Sequence, residues 1–303
     1  MQNRRLELSQ DTSAIGASDR PRLVATLFRL GVLARRHKVG AAALGVVTLV
    51  GVLAAAAPLV APADPLIQDY DVLLKAPSLD HPFGTDRVGR DILSRVIYGS
   101  RVSILVGVVA VGIAVAIGVP LGLLSGFVGG VFDNVVMRFM DALIAFPRLI
   151  LALAIVAVLE PSLFNVMIAV GIGSVPVYAR LMRSQALSIR ENEYIHAARA
   201  LGMTNVRIMF RHVLPNAISP IIVQTTLGLG YAVLAEASLG FLGVGVQPPT
   251  PTWGSILNQG APLLEQAWWV AFFPGVAIFV LVLCLNLFGD ALRDILDPRL
   301  RGR

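Results

Sequence analysis

Residues Glu193–Asn216, EYIHAARALGMTNVRIMFRHVLPN, form a charged stretch with helical patterning between two strongly apolar parts of the chain. The flanking blocks, residues 163–179 and 217–242, are apolar enough to lie in a lipid bilayer. The stretch itself carries arginines, histidines and a glutamate, which belong in water. The chain therefore combines membrane-embedded helices with an exposed helical element between them.

The composition of the whole chain agrees with a location in the membrane. Hydrophobic residues make up 56% of the 303 residues, charged residues make up 15%, and the mean hydropathy is +0.75. Soluble domains usually carry about 25% charged residues. We predict an all-α polytopic membrane protein. The net charge of +6 does not indicate a nucleic-acid partner, because the basic residues flank the apolar blocks, where they set membrane topology.

Six apolar segments are predicted to cross the lipid bilayer, since a spanning helix needs roughly 20 mostly apolar residues. The third is the least regular, because Arg138, Asp141 and Arg148 interrupt it. It is still counted as a span, because an even number of crossings places both termini on one side. The predicted spans are residues 39–61, 102–128, 135–159, 163–179, 217–242 and 267–289.

The distribution of basic residues predicts that both termini are cytoplasmic. Arginines are concentrated in an N-terminal arm (1–38), in segment 180–211 and in a tail (291–303), whereas segment 243–266 contains no lysine or arginine. Positive residues are retained on the cytoplasmic side. Segment 62–101 carries basic residues and is still placed outside, because it also carries aspartates and is long enough to weaken the rule.

The outer segment 62–101 ends in GTDRVGRDILSRVIYGSR (84–101), which has the spacing of an amphipathic helix. Thr85 or Asp86 is a suitable N-cap. Oppositely charged residues four apart can pair along one face, and they are Asp86–Arg90, Arg87–Asp91 and Asp91–Arg95. We predict a helix in the bilayer interface that leads into the second span, with contact to a partner permease or docking protein as the alternative. In the other outer connection, Trp253 suits an interfacial position.

Two short amphipathic helices joined by a glycine are predicted within Glu193–Asn216. Gly202 is placed to end the first helix, Thr204 to cap the second, and Pro215 to end the second. The apolar faces follow i, i+3, i+4, i+7 spacing, and they are formed by Tyr194, Ala197, Ala198 and Leu201, then by Val206, Met209, Phe210 and Val213. On pattern alone, a hairpin lying on the lipid headgroups is the alternative.

The same segment resembles the signature of ABC-importer permeases, in which Glu-Ala-Ala is followed by a glycine, an isoleucine and Leu-Pro at fixed spacing. His196 stands where that family usually has glutamate, and His212 where it has isoleucine. The positions that match in register are Ala197, Ala198, Gly202, Leu214 and Pro215.

Three other motifs extend this resemblance. They are GTDRVGRDILSR, the Gly-Gly-x-x-Asp of residues 129–133, and LGFLGVGVQPPTPTWG. All three resemble the C-type permease of dipeptide, oligopeptide and nickel importers, and they occur in the same order. The similarity runs from about residue 35 to Leu300.

The resemblance implies a type I ABC importer permease fold in the bacterial inner membrane, with a five-helix core at residues 102–290. The partners implied are a homologous B-type permease, two cytosolic ATPase subunits and an extracytoplasmic substrate-binding protein. The coupling helices (about 190–215) would dock in the ATPases. The residues assigned to coupling are His196, Ala197, Ala198, Arg199, Gly202, Arg207, Arg211, Leu214 and Pro215.

Short peptides are the implied substrates, with nickel chelates and haem-like ligands left open. The chain lacks the GxxxxGK[ST] phosphate loop. ATP and Mg²⁺ are therefore expected on the partner ATPases, and this chain is expected to hold no cofactor or metal and to be no enzyme.

Two ionisable residues within the spans need explanation, because charge is costly in lipid. Glu236 either lines the translocation pathway or bonds to a neighbouring helix. Arg148 is interpreted as reaching Asp141 or as lying near the cytoplasmic end of its span. An ion-coupled secondary transporter, the rival function, would need more such residues or inverted repeats with broken helices. An intramembrane enzyme would need a paired nucleophile and base, which the sequence does not offer.

Overall fold

The part of the chain that the structure describes is mostly helical. The structure is a computed structural model that describes residues 38–296, and no β-strand occurs within them. Predictions for residues 1–37 and 297–303 lie outside the described residues. The helices are α1 (Lys38–Ala55), α2 (Ala57–Val60), α3 (Ile92–Val128), α4 (Gly130–Ile144), α5 (Arg148–Leu159), α6 (Leu163–Arg190), α7 (Glu193–Ala200), α8 (Asn205–Ile208), α9 (Leu214–Phe241), α10 (Trp253–Gly260) and α11 (Trp269–Leu296).

Within residues 38–296, five helices are long and apolar enough to cross a membrane. They are α1, α3, α6, α11 and the continuous helix formed by α8, a π-helical turn and α9. The helices α4 and α5 make a sixth crossing only if they are counted together. The six predicted spans therefore correspond to five unbroken helices and one broken pair.

The third predicted span, residues 135–159, is not a straight helix. Its two halves, α4 and α5, meet at an angle of 89°. The break falls at Phe146-Pro147, where Pro147 precedes the first turn of α5. A residue before proline is disfavoured in the helical conformation, which ends α4 locally.

The predicted interfacial helix at residues 84–101 does not form as a separate element. Instead α3 begins at Ile92 and continues without interruption into the second span, and its N-cap is Asp91, which accepts a hydrogen bond from Ser94 N at 2.8 Å. Gly84 and Gly89 have φ angles of +73° and +77°, which no right-handed helix allows. A Cβ on Gly89 would lie 1.7 Å from the Asp69 carbonyl oxygen, so only glycine fits where these two backbone segments meet.

The predicted charge pairs are rearranged by this turn. Asp86 does bind Arg90, at 2.7 Å, but it also binds Arg95. Asp91 contacts His81 Nδ1 at 3.1 Å rather than the predicted arginines. These polar contacts therefore hold the turn together instead of lining one face of a helix. Trp253 is likewise not an interfacial anchor, because it is buried and donates from Nε1 to the Val96 carbonyl at 2.8 Å.

The closest packing between spans is that of α3 against α6. A Cβ built on Gly122 would lie 2.1 Å from the Ala179 carbonyl oxygen, and one on Gly126 would lie 2.6 Å from the Arg183 carbonyl oxygen. Gly118 approaches Val175 in the same way. These glycines recur every four residues and so share one face of α3. Small residues at such a face let two backbones approach closely, which replaces the hydrophobic effect as the source of helix association in lipid.

We predict that Gly122→Ala disrupts this contact, because the added methyl group has no space. The expected cost is about 1–3 kcal/mol, as for other overpacked sites. Thermal unfolding of the purified protein in detergent measures it as a lower midpoint.

Gly112→Ala is the matched control, because a Cβ at Gly112 of the same helix meets nothing within 4 Å. An equal fall in both variants would contradict the assigned role of the α3–α6 contact.

Candidate functional site

The first helix of the segment Glu193–Asn216 ends where the sequence predicts. Helix α7 is followed by Gly202 with a φ of +80°. Gly202 N donates to the Arg199 carbonyl at 2.9 Å, and Met203 N donates to the Ala198 carbonyl at 3.1 Å. This pair of hydrogen bonds is the Schellman motif, which needs a residue in the left-handed conformation. The chain therefore makes a tight elbow at the predicted glycine.

The second helix of this segment, which we call the second arm, begins after Thr204 as predicted but does not end at Pro215. Thr204 caps α8 by accepting from Arg207 N at 3.4 Å. The helix then passes through a π-helical turn, Met209–Val213, and continues directly as α9, with Leu214 and Pro215 inside the continuous helix. Proline lacks an N–H and crowds the carbonyl of the preceding turn. The wider turn in front of Pro215 accommodates this defect, so the exposed arm and the span are one helix.

The buried face of the segment matches the predicted faces only at Ala198, Met209 and Val213. Ile195 and Ala198 of α7, with Ile208, Met209 and Val213 of the second arm, pack into the core beside the inner ends of α3 and α6. Ala197 is exposed, so the two alanines do not share one packed face. Ile195 and Ala198 also have i, i+3 spacing, so the periodicity fitted both faces and did not distinguish the buried one.

Four large apolar side chains are left on the exposed face. Their exposed fractions are 45% for Tyr194, 81% for Leu201, 63% for Val206 and 57% for Phe210. We call these four residues the apolar patch. Contiguous exposed apolar side chains mark interaction surfaces. The exposed ionisable residues of the same segment are one acidic residue, Glu193, and four basic ones, so the surface is apolar with an excess of basic groups; the basic residues are His196, Arg199, Arg207 and Arg211.

Contacts with the inner end of α3 hold this segment in place. The Arg199 guanidinium lies 5.6 Å from the ring centroid of Phe127, and Arg190 donates to the Gly126 carbonyl at 3.0 Å. About two turns away on α6, Arg183 donates both Nε and Nη2 to the carboxylate of Asp133 at 2.6 Å. A bidentate pair of this kind is among the stronger polar contacts. The segment therefore moves with α3 and α6 rather than as a free loop.

Glu236 does not line an open surface of the chain. It is fully buried in α9, and its Oε2 accepts a hydrogen bond from Ser103 Oγ of α3 at 3.2 Å. This geometry favours the alternative in which Glu236 joins neighbouring helices. Arg148 does not reach Asp141, which binds Arg180; its guanidinium instead lies over the ring of Tyr231 in α9.

Comparison with known proteins identifies close relatives. Residues 118–302 match the family described as binding-protein-dependent transport system inner membrane component. The dipeptide transport system permease protein of Alkalihalophilus pseudofirmus is 45% identical over 88% of both chains. The glutathione transport system permease protein of Escherichia coli O6:K15:H31 is 47% identical, again over 88% of both.

A solved structure shares the fold. An inward-facing conformation of the MetNI methionine ABC transporter aligns with a TM-score of 0.58, at 20% identity, over 68% of this chain and 98% of that chain. A second crystal form aligns with a TM-score of 0.54. The helical arrangement is therefore that of an ABC importer permease, as the sequence motifs implied.

We predict that Glu236→Gln retains folding and uptake, because glutamine keeps the volume and can still accept from Ser103. Glu236→Ala leaves a cavity and an unpaired hydroxyl and is expected to cost about 1–3 kcal/mol. Thermal unfolding and ATP-driven uptake are the measurements. Severe loss of uptake in a normally stable Glu236→Gln protein would instead indicate a role in the pathway.

Proposed function

Because the chain belongs to the family of binding-protein-dependent transport system inner membrane components, we propose that it forms the translocation pore of an ATP-driven importer together with a homologous permease. The observation that carries the proposed mechanism is the unbroken helix from Asn205 to Phe241. It joins the exposed segment to the membrane interior without a flexible hinge. Force applied at the segment is therefore transmitted to the pore.

The proposed cargo is a dipeptide or a short oligopeptide. Support comes from the relatives, one named for dipeptides and one for glutathione, which is itself a tripeptide. Nickel chelates and haem-like ligands are the alternatives within the same machinery. The two names favour peptides over both.

The proposed docking site for a cytosolic ATPase is the apolar patch with its basic rim. Leu201 is the most exposed residue of the patch, and the elbow beside it is open, since a Cβ on Gly202 would meet no atom within 4 Å. An apolar surface of this size suits a groove on a partner protein. His196 replaces the usual glutamate of the signature, which leaves the apolar residues and the arginines to hold the ATPase.

The proposed cycle is a rigid lever movement. Two ATPase subunits bind ATP with Mg²⁺, close on each other and carry their docked segments together. The continuous helix that includes α9, together with α3 and α6, then tilts as a body and exchanges inward-open and outward-open states. A substrate-binding protein delivers peptide on the outer side. In this scheme the chain itself performs no covalent chemistry, and ATP is hydrolysed by the partner subunits.

We expect Gly202→Asp to uncouple transport while the protein still inserts. Aspartate tolerates the left-handed conformation better than most residues, so the elbow should form. Its charge and bulk then project into the docking groove. ATP-driven uptake should fall by about tenfold or more, and less ATPase should be retained on the affinity-purified complex.

Gly243→Asp is the matched control, because Gly243 also has a φ near +80° (+79°) and open space around its Cβ, but lies after the outer end of α9. This variant should retain the ATPase at the wild-type level. Normal uptake by Gly202→Asp, or equal loss of ATPase in both variants, would refute docking at the elbow.

A further inference from the structure

Arg148 is a charged side chain within the spans that has no role in the proposed lever movement. It is exposed, and it takes part in no ion pair among residues 38–296. Its guanidinium carbon lies 4.0 Å from the ring centroid of Tyr231 on α9. This is a close cation–π contact, and it fixes the position of the side chain.

The position of Arg148 is deep within the bilayer region. Its carbonyl oxygen is 3.8 Å from a Cβ built on Gly173, and a Cβ built on the nearby Gly171 would lie 3.0 Å from the Ala110 carbonyl oxygen. Gly173 is about 15 Å along α6 from its outer end and about 10 Å from Arg180 on the inner side. Arg148 therefore lies within the apolar layer, at the break between α4 and α5.

An exposed arginine at this depth does not face lipid, because the cost of a charge in hydrocarbon is too high. It faces either a water-filled pathway or another protein chain. Tyr231 belongs to the helix that continues into the exposed segment, so the pair lies on the proposed lever.

With its central carbon over the ring, the guanidinium is committed to no ion pair among residues 38–296, so its N–H groups are available to a ligand. A guanidinium presents N–H donors in a planar fork that matches a carboxylate with two parallel hydrogen bonds. Helix α5 also begins at Arg148 without a side-chain cap, which adds positive potential at the same place. The arrangement selects a single carboxylate rather than a neutral or cationic group.

We infer that Arg148, held over Tyr231, is a carboxylate-binding residue of the translocation pathway and takes the C-terminal carboxylate of a peptide in transit. This inference rests on the proposed function, import of short peptides. It assigns to this chain a share of substrate selection, in addition to that of the binding protein.

The test compares uptake of acids and their amides by the complete transporter in proteoliposomes supplied with ATP. The probes are alanyl-alanine, its C-terminal amide, glutathione and the amide of its glycine carboxyl. The same binding protein is used with every variant, so its own preference cancels when acid-to-amide ratios are compared between variants.

Arg148→Gln should lower the acid-to-amide uptake ratio by roughly tenfold, through slower uptake of the acids. Arg148→Lys keeps the charge but loses the planar fork, so its acid-to-amide ratio should lie between those of the wild type and Arg148→Gln. Tyr231→Phe keeps the aromatic face and should keep the ratio, whereas Tyr231→Leu should lower it.

Arg138→Gln is the matched control. It removes an exposed arginine from α4, on the cytoplasmic half of the same broken span, and should leave the ratio within about twofold. Equal loss of acid and amide uptake in Arg148→Gln would show that the arginine pairs with an acidic side chain of the partner permease, and would overturn the inference. An unchanged ratio would also overturn it. Failure of the wild-type complex to import any of the four probes would refute the proposed peptide import itself.

Discussion

The rest of the structure depends on the close approach of α3 and α6. Three glycines on one face of α3 place its backbone directly against the carbonyl groups of α6. In lipid this contact depends on van der Waals packing, since apolar side chains gain nothing by leaving hydrocarbon. At the ends of the same helices Phe127 contacts Arg199 of the exposed segment, and Ile195 and Ile208 of that segment are buried in the same core. The packing of the membrane core therefore sets the position of the surface that a partner is proposed to grip.

The polar groups inside the helical core divide into two kinds. Some join neighbouring helices within the chain, as in the Asp133–Arg183 pair and the hydrogen bond from Ser103 to Glu236 Oε2. Glu236 is fully buried, which leaves it inaccessible to cargo. Arg148 differs because its aromatic contact orients the charge without neutralising it. A charge held in this way remains available to a ligand.

The exposed segment is joined to a membrane-spanning helix without a break, because the chain accommodates Pro215 inside one continuous helix. A proline following a short amphipathic helix normally indicates its end. Here a π-helical turn of five residues absorbs Pro215, and the helix runs on to Phe241. Broken helices occur as well, since α4 and α5 meet at 89°. Broken helices are typical of ion-coupled transporters, and this permease contains one as well.

The sequence alone determined the all-α membrane class, the family, the elbow at Gly202 and the cap at Thr204. These depend on local chemistry, namely apolar run length, left-handed glycine and hydroxyl capping, which are visible in a few consecutive residues. Only the tertiary structure decided that Ile195 rather than Tyr194 faces inward, that residues 84–91 turn instead of forming a helix, and that Glu236 is buried against Ser103. It also decided that Arg148 stacks on Tyr231. Each of these outcomes is set by residues distant in the chain, and helical periodicity cannot show which of two apolar faces will meet a neighbour.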